Sequence, residues 1–128
     1  MAIRSKIRCD YTIKSSPTIL YSFFTQPDQL SQWFAEKVDA NENEYTFFWG
    51  DYEETGTLLE HEENVFAKYS MEGYENGEYL EFRIQLSEIS NDTILIVTDF
   101  TEKGNEKDQI LYWNTQIEIL ENKIGAGN

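Results

Sequence analysis

Large aromatic residues are concentrated in two short stretches of the chain, and their rings are suited to contact an apolar molecule. The set comprises Phe23, Phe24, Trp33, Phe34, Tyr45, Phe47, Phe48 and Trp49. Bulky rings leave irregular gaps where a helical segment meets a sheet, and a pocket lined by rings suits a flat or elongated apolar ligand. Ordinary core packing is the alternative role of the same rings, and the sequence leaves both interpretations open.

A few polar side chains are expected to face the same interior, where hydroxyl or amide groups would orient a ligand. They are Tyr11, Tyr69, Thr98, Trp113 and Asn114. A satisfied hydrogen bond within the core is the alternative role of each. Asp99 is the one carboxylate considered for the interior, and its face depends on the strand register.

The candidates for catalysis or metal binding do not form a complete site. His61 is the only histidine, and it lies between Glu60 and Glu62. Neighbouring carboxylates favour the imidazolium form, but adjacent residues of a strand point to opposite faces. Zinc would need several further ligands, and only carboxylates are available. We therefore predict a solvated strand end at His61, with no catalytic residue, no metal and no cofactor.

Two acidic motifs also fail as sites. The segment Asp39 to Asn43 resembles the start of a calcium-binding loop, but Glu44 stands where glycine is needed and Gly50 where a bidentate glutamate belongs. The pair Glu53 and Glu54 is similar to the two carboxylates of a glycosidase, yet neighbours in a strand diverge. We predict that these acidic residues are solvated.

Length and charge predict one acidic domain. The 128 residues are 40% hydrophobic, which suits a single domain over 1–128 with a flexible tail at 125–128. The net charge of −14 would repel nucleic acid and anionic lipid headgroups, so neither nucleic acid binding nor membrane insertion is expected. The chain lacks a spanning apolar run and a signal peptide, which predicts a cytoplasmic protein.

One strand and two short helices are predicted first. The strand covers Ile3 to Lys14 and places Cys9, the only cysteine, on its apolar face. Ser16 and Pro17 are typical of the cap and first residue of a helix. The predicted buried face of that helix is formed by Ile19, Leu20, Phe23 and Phe24. Pro27 opens the second short helix.

A meander of strands and one long helix follow. The predicted strands are Glu36 to Ala40, Glu44 to Trp49, Glu53 to Glu62, Val65 to Met71, Tyr79 to Ser87 and Thr93 to Thr101. Short connections imply antiparallel neighbours, and the stretch Ile94 to Val97 is apolar on both faces. The helix covers Asn105 to Ile124, with an apolar stripe at Ile110, Trp113, Ile117, Leu120 and Ile124. The sheet is expected to curl around this stripe.

The segment Thr25 to Phe34 reads TQPDQLSQWF. It resembles the Thr-x-Pro-x-x-Leu-x-x-Trp-Phe run of the Hsp90-ATPase-activator (Aha1)-like branch of the START-like superfamily. The segments Tyr45 to Gly50 and Gly56 to Leu59, together with Trp113, support the resemblance. It implies an α+β helix-grip fold, in which a curved antiparallel sheet of about seven strands wraps around the C-terminal helix. Two short helices between strands 1 and 2 would cover the cavity mouth.

The resemblance implies that the domain holds a small apolar or amphipathic molecule between the sheet and the last helix. The predicted lining is Phe23, Trp33, Phe34, Phe47, Trp49, Phe82, Ile84, Ile110, Trp113, Asn114 and Ile117. One alternative is an interaction module that docks a protein with a basic surface, such as a chaperone. A less favoured alternative is an enzyme that uses the cavity for cyclisation or hydrolysis. A closed apolar cavity would favour ligand binding. An exposed apolar patch would favour the interaction module, and an ionisable pocket residue with a perturbed pKa would favour the enzyme.

Overall fold

The computed structural model describes residues 3–126, and the order of its helices and strands is the predicted one. The elements are β1 (Arg4–Ile13), α1 (Pro17–Thr25), α2 (Pro27–Leu30), β2 (Lys37–Asn41), β3 (Glu44–Trp49), β4 (Tyr52–Glu62), β5 (Phe66–Met71), β6 (Leu80–Leu86), β7 (Thr93–Glu102) and α3 (Glu106–Ala126). The seven strands form one antiparallel sheet in the order β1-β7-β6-β5-β4-β3-β2. The predicted α+β helix-grip fold is confirmed.

The long helix α3 packs on the inner face of the sheet through an apolar stripe. Trp113, Ile117, Leu120 and Ile124 are all buried, as the helical spacing predicts. Ile110 does not belong to this stripe, because it is 36% exposed. The inward place one turn before Trp113 is taken by Gln109, whose side-chain amide bonds to a residue of β7.

The helix α3 ends at Ala126, so the prediction of its end at Ile124 was two residues short. Residues 127–128 of the predicted tail lie outside the described part of the chain. None of the helices within residues 3–126 is long and apolar enough to cross a membrane.

The two short helices start where the sequence indicates. Ser16 caps α1, since its Oγ accepts a hydrogen bond from the Ile19 amide at 3.2 Å, and Pro17 occupies the first turn. Leu20, Phe23 and Phe24 form the buried face of the helix. Ile19 was expected there but is 41% exposed, because it lies on the side of the first turn that faces away from the core.

Alternation along β1 places its apolar residues on the inner face. Ile7, Cys9 and Ile13 are buried there, which confirms the predicted orientation of the cysteine. Ile3 precedes the strand and is 67% exposed. Along the whole of β1, pairing with β7 sets the register, and Ile7 lies opposite Asp99.

Candidate functional site

A cleft of about 210 Å³ lies between the first half of α3 and the inner face of the sheet. Ten residues line it: Phe34, Trp49, Glu54, Met71, Tyr74, Leu80, Asp99, Gln109, Tyr112 and Trp113. They come from the segment after α2, the five strands β3 to β7, the β5–β6 loop and α3. Half of these residues are aromatic, and two are carboxylates, so the cleft combines apolar walls with acidic groups.

Asp99 lies at the centre of the polar contacts in the cleft and is only 2% exposed. Its Oδ2 accepts hydrogen bonds from Gln109 Nε2 and Trp113 Nε1, both at 2.9 Å. Its Oδ1 accepts one from the Phe100 amide at 2.8 Å and another from the Tyr74 hydroxyl. Four neutral donors therefore compensate the loss of water around a buried carboxylate.

The inward orientation of Asp99 follows from the register of β7. Leu95 and Val97 are fully buried on the inner face, and Asp99 continues the same alternation. Its cross-strand partner Ile7 is buried on that face as well. The backbone therefore holds the carboxylate against α3, and burial together with the charge of Asp99 strongly raises the pKa of the Tyr74 hydroxyl.

Glu54 is the second carboxylate of the cleft, and the prediction that it is solvated was wrong. It pairs with Phe47 across β3 and β4 and shares the inner face with Gly56 and Leu58. Burial raises the pKa of its carboxyl group, and the negative charge of Glu72 raises it further. Glu53 and Glu54 were both predicted to be solvated, whereas strand alternation turns one of the two neighbours inward.

The two carboxylates also act on Tyr112, which lines the same cleft. The pKa of its hydroxyl is raised to about 12, first by burial and then by the charges of Asp99 and Glu54. Trp113 packs edge-on against Tyr112, with 5.3 Å between the ring centroids. These two adjacent residues of α3 therefore present aromatic surface beside negative charge.

An open groove of about 370 Å³ adjoins the cleft. Phe34, Trp49 and Tyr112 line both spaces. Trp49 is held in place because its Nε1 donates to the Phe34 carbonyl oxygen at 2.9 Å. A molecule in the cleft would thus have room to extend past these rings towards α2.

A family model for a START-like superfamily domain matches residues 1–126. The chain belongs to the START-like superfamily. This confirms the family that the TQPDQLSQWF segment indicated. No curated protein sequence matches the chain significantly.

Several solved structures share this START-like fold. Protein BfR322 from Bacteroides fragilis is 27% identical, with a TM-score of 0.68 over 97% of this chain and 93% of that one. Protein MLL2253 from Mesorhizobium loti is 15% identical, with a TM-score of 0.79 over 97% and 99% of the two chains. The Aha1 dimer from Colwellia psychrerythraea is 17% identical, with a TM-score of 0.77 over 92% and 94%.

The predicted lining residues occupy three different environments in this START-like domain. Phe34, Trp49 and Trp113 line the cleft. The members that are buried in the core without lining the cleft are Phe23, Trp33, Phe47, Phe82, Ile84 and Ile117. Ile110 and Asn114 are exposed on α3. The centre of the domain is filled, because Phe24 stacks on Phe82 with 4.6 Å between centroids and Trp33 packs against both.

Most of the polar candidates form hydrogen bonds within the protein. Tyr69 donates to the Phe24 carbonyl oxygen, and Tyr11 donates to Asn114 Oδ1 at 2.7 Å. Thr98 lies on the outer face of β7, opposite Arg8. His61 lies at the exposed end of β4, with its Nδ1 3.0 Å from the Tyr21 hydroxyl. None of these four candidates lines the cleft.

Sequence reasoning missed several residues that line the cleft, namely Glu54, Met71, Tyr74, Leu80, Gln109 and Tyr112. Tyr74 lies in the β5–β6 loop, where no periodicity indicates a direction. Gln109 had a usable signal, because it lies four residues before Trp113 and therefore on the same side of the helix.

Proposed function

We propose that this START-like domain binds a small apolar or amphipathic molecule in the cleft between α3 and the sheet. The observation that carries the proposal is the combination of aromatic walls with the preorganised carboxylate of Asp99. Binding sites for small molecules commonly consist of apolar surface with a few fixed polar groups. Here Trp49 and Trp113 supply the apolar surface. Asp99 is held in place because it accepts hydrogen bonds from Gln109 and Trp113 of α3, and the same bond fixes the Gln109 side chain.

The size of the cleft limits the ligand. Its volume of about 210 Å³ is below the range of roughly 300–1,000 Å³ that is usual for ligand pockets. The molecule should therefore be small, or its apolar body should continue past Trp49 and Tyr112 into the adjoining groove. A ligand that contacts both spaces would cover rings that are now accessible from solvent.

Intrinsic tryptophan fluorescence offers a direct test, because Trp49 and Trp113 both line the cleft. We expect a saturable change with at least one member of a panel of fatty acids, sterols, aromatic polyketides and aromatic amines. Tyr112→Ala should raise the dissociation constant about ten-fold, because it removes one aromatic wall. Leu111→Ala is the matched control, since Leu111 neighbours Tyr112 on α3, is 55% exposed and does not line the cleft.

The absence of any saturable response across the panel would contradict the proposal. An equal loss of affinity in Leu111→Ala and Tyr112→Ala would also contradict it, because binding would then depend on the helix surface and not on the cleft.

Enzymatic use of the cleft is the second candidate, and the raised pKa of Glu54 is the observation that favours it. A carboxyl group that is protonated more readily than usual is suited to general acid catalysis. The ten lining residues include no serine, threonine, cysteine, lysine or histidine. Mass spectrometry of a bound panel member distinguishes the candidates, because a binding protein returns the molecule unchanged and an enzyme converts it.

A further inference from the structure

The charges that line the cleft are all negative. Glu54 and Asp99 are its carboxylates, and no lysine, arginine or histidine is among the lining residues. Within residues 3–126, the basic partners of the salt bridges are Arg4, Arg8, Lys37 and Arg83, and their acidic partners are Glu78, Asp10, Asp39 and Glu81. Neither carboxylate of the cleft is thus paired with a cation of the described chain.

The carboxylates of Asp99 and Glu54 differ in how many hydrogen bonds they accept from the rest of the protein. Asp99 is almost fully buried and accepts four hydrogen bonds from neutral donors, so its acceptor oxygens are already occupied within the protein. Glu54 is half-buried, and burial raises the pKa of its carboxyl group by more than the neutral Tyr52 hydroxyl lowers it. Glu54 is therefore the carboxylate available to a charged group of a ligand.

Like charges surround Glu54. Glu72 and Asp99 both raise the pKa of its carboxyl group, in addition to the larger effect of burial. A cation bound in the cleft would offset this repulsion, whereas an anion would increase it. The net charge of −14 acts in the same direction over longer distances, because it attracts cations towards the protein.

The aromatic walls favour the same class of ligand. Cations bind over the faces of tryptophan and tyrosine rings, most strongly where water is partly excluded. Trp49, Tyr112 and Trp113 line the cleft together with Glu54. Trp49 also stacks on Tyr52, with 6.0 Å between the centroids, so indole and phenol rings lie beside the carboxylate.

We propose that the ligand of this cleft is an organic cation, namely an aromatic or aliphatic amine or a quaternary ammonium compound. Its positive group pairs with Glu54 and contacts the rings of Trp49 and Tyr112, while its apolar body lies against the remaining walls. This inference rests on the proposed function, because it specifies the ligand of the same cleft.

A series of molecules with one apolar body tests the charge preference. The probes are 4-phenylbutylamine, 4-phenylbutyltrimethylammonium, 4-phenylbutanol and 4-phenylbutyrate, and calorimetry measures each dissociation constant. We expect both cations to bind at least about ten-fold more tightly than the alcohol, with the butyrate weakest, because the charge pairs with a partly desolvated carboxylate. Glu54→Gln should abolish the preference for cations over the alcohol.

Glu53→Gln is the matched control. It removes the same charge from the neighbouring residue of β4, whose side chain points to the opposite face and is exposed. This variant should keep the preference for cations. Amide signals in NMR spectra establish that both variants retain the native fold.

The outcomes separate the two proposals. If the alcohol binds in the cleft but the cations bind no more tightly, ligand binding stands and the cation inference is overturned. An unchanged preference in Glu54→Gln, or an equal loss in Glu53→Gln, also overturns the inference, since the preference would then arise from overall charge. If no probe binds, this inference is contradicted, and the proposed function is contradicted as well when the fluorescence panel also gives no saturable response.

Discussion

Trp113 of α3 donates from its Nε1 to Asp99 Oδ2 of β7 at 2.9 Å, and both side chains are almost completely buried. This bond joins the long helix to the sheet at the floor of the cleft. Gln109 bonds to the same oxygen from one turn earlier on the helix. The residues that attach α3 to the sheet are therefore the same residues that form one wall of the candidate site.

Replacement of Asp99 by asparagine tests this attachment. An asparagine accepts hydrogen bonds at one oxygen only, so its NH2 group would face the donors of Gln109 and Trp113 in one orientation and the Phe100 amide in the other. We expect Asp99→Asn to lower the free energy of unfolding by about 1–3 kcal/mol, since buried donors are left unsatisfied. Urea denaturation followed by circular dichroism measures the change.

Asp51→Asn is the control for that variant, because Asp51 is exposed in the turn between β3 and β4, where asparagine is equally favourable. Its stability should stay within about 0.5 kcal/mol of the wild type. Wild-type stability in Asp99→Asn would mean that the carboxylate does not attach α3 to the sheet.

The Tyr74 hydroxyl provides a second test of the same contacts. Tyr74→Phe removes one donor to Asp99 Oδ1 and leaves the ring in the cleft wall. We expect a loss of about 1–2 kcal/mol in the free energy of unfolding, because a hydrogen bond to a charged group is removed. Tyr79→Phe is the matched control, since its ring packs on Phe100 and its hydroxyl forms no side-chain hydrogen bond within residues 3–126. Equal losses in the two variants would contradict the expectation.

Glu54 should make stability depend on pH. Burial and the charges of Glu72 and Asp99 raise the pKa of its carboxyl group in the folded state above its ordinary value of 4.5, so folding favours the protonated form. The contribution of Glu54 to stability is therefore greatest below pH 4.5 and is lost as the pH rises through the folded-state pKa.

Glu54→Gln isolates this effect. We expect it to stabilise the protein at pH 7 by less than about 1 kcal/mol, since solvent screens a half-buried carboxylate, and to lose that advantage in acid. Denaturation of the wild type and the variant over a series of pH values measures the difference. A gain that is independent of pH would show that the charge of Glu54 is not its origin.

Gly56 supports the shape of the cleft from β4. A Cβ atom at this position would lie 2.8 Å from Met71 Sδ and 3.1 Å from Phe47 Cε2. Gly56→Ala should therefore cost about 1–3 kcal/mol of unfolding free energy through overpacking, and it should displace Met71 into the cleft. Gly125→Ala is the control, because a Cβ atom there meets nothing within 4 Å. If Gly56→Ala were as stable as the wild type, the Met71 side chain would be able to move away from the added Cβ atom without cost, and the prediction would be contradicted.

Local patterns predicted the framework of the fold well. The buried face of α3 follows from the helical spacing of Trp113, Ile117, Leu120 and Ile124. The Ser16 cap depends on a hydrogen bond between residues that are three positions apart in the sequence, Ser16 and Ile19. These features depend on neighbours within one or two turns. Sequence spacing therefore contains the information that they require.

The cleft depends on contacts between distant strands, which spacing does not contain. Asp99 faces inward because β7 pairs with β1, yet its strand shows no alternation in polarity, since Ile96 is buried on the outer face. In the register, Ile96 lies between Asp10 and Arg83 of the neighbouring strands. Glu53 and Glu54 were both predicted to be solvated, although neighbours in a strand diverge and Glu54 occupies the inward position opposite Phe47.

The NMR signals of the tryptophan indole N–H groups test the central claim most directly. The protein has three tryptophans, and Trp49 and Trp113 both line the cleft. The measurement is a titration with the tightest-binding member of the phenylbutyl series, followed in 1H–15N spectra. Ligand binding in the cleft predicts that both indole signals shift with one saturation curve, and that Tyr112→Ala weakens this binding. Saturable shifts elsewhere in the protein, with the Trp49 and Trp113 signals unchanged, would contradict it.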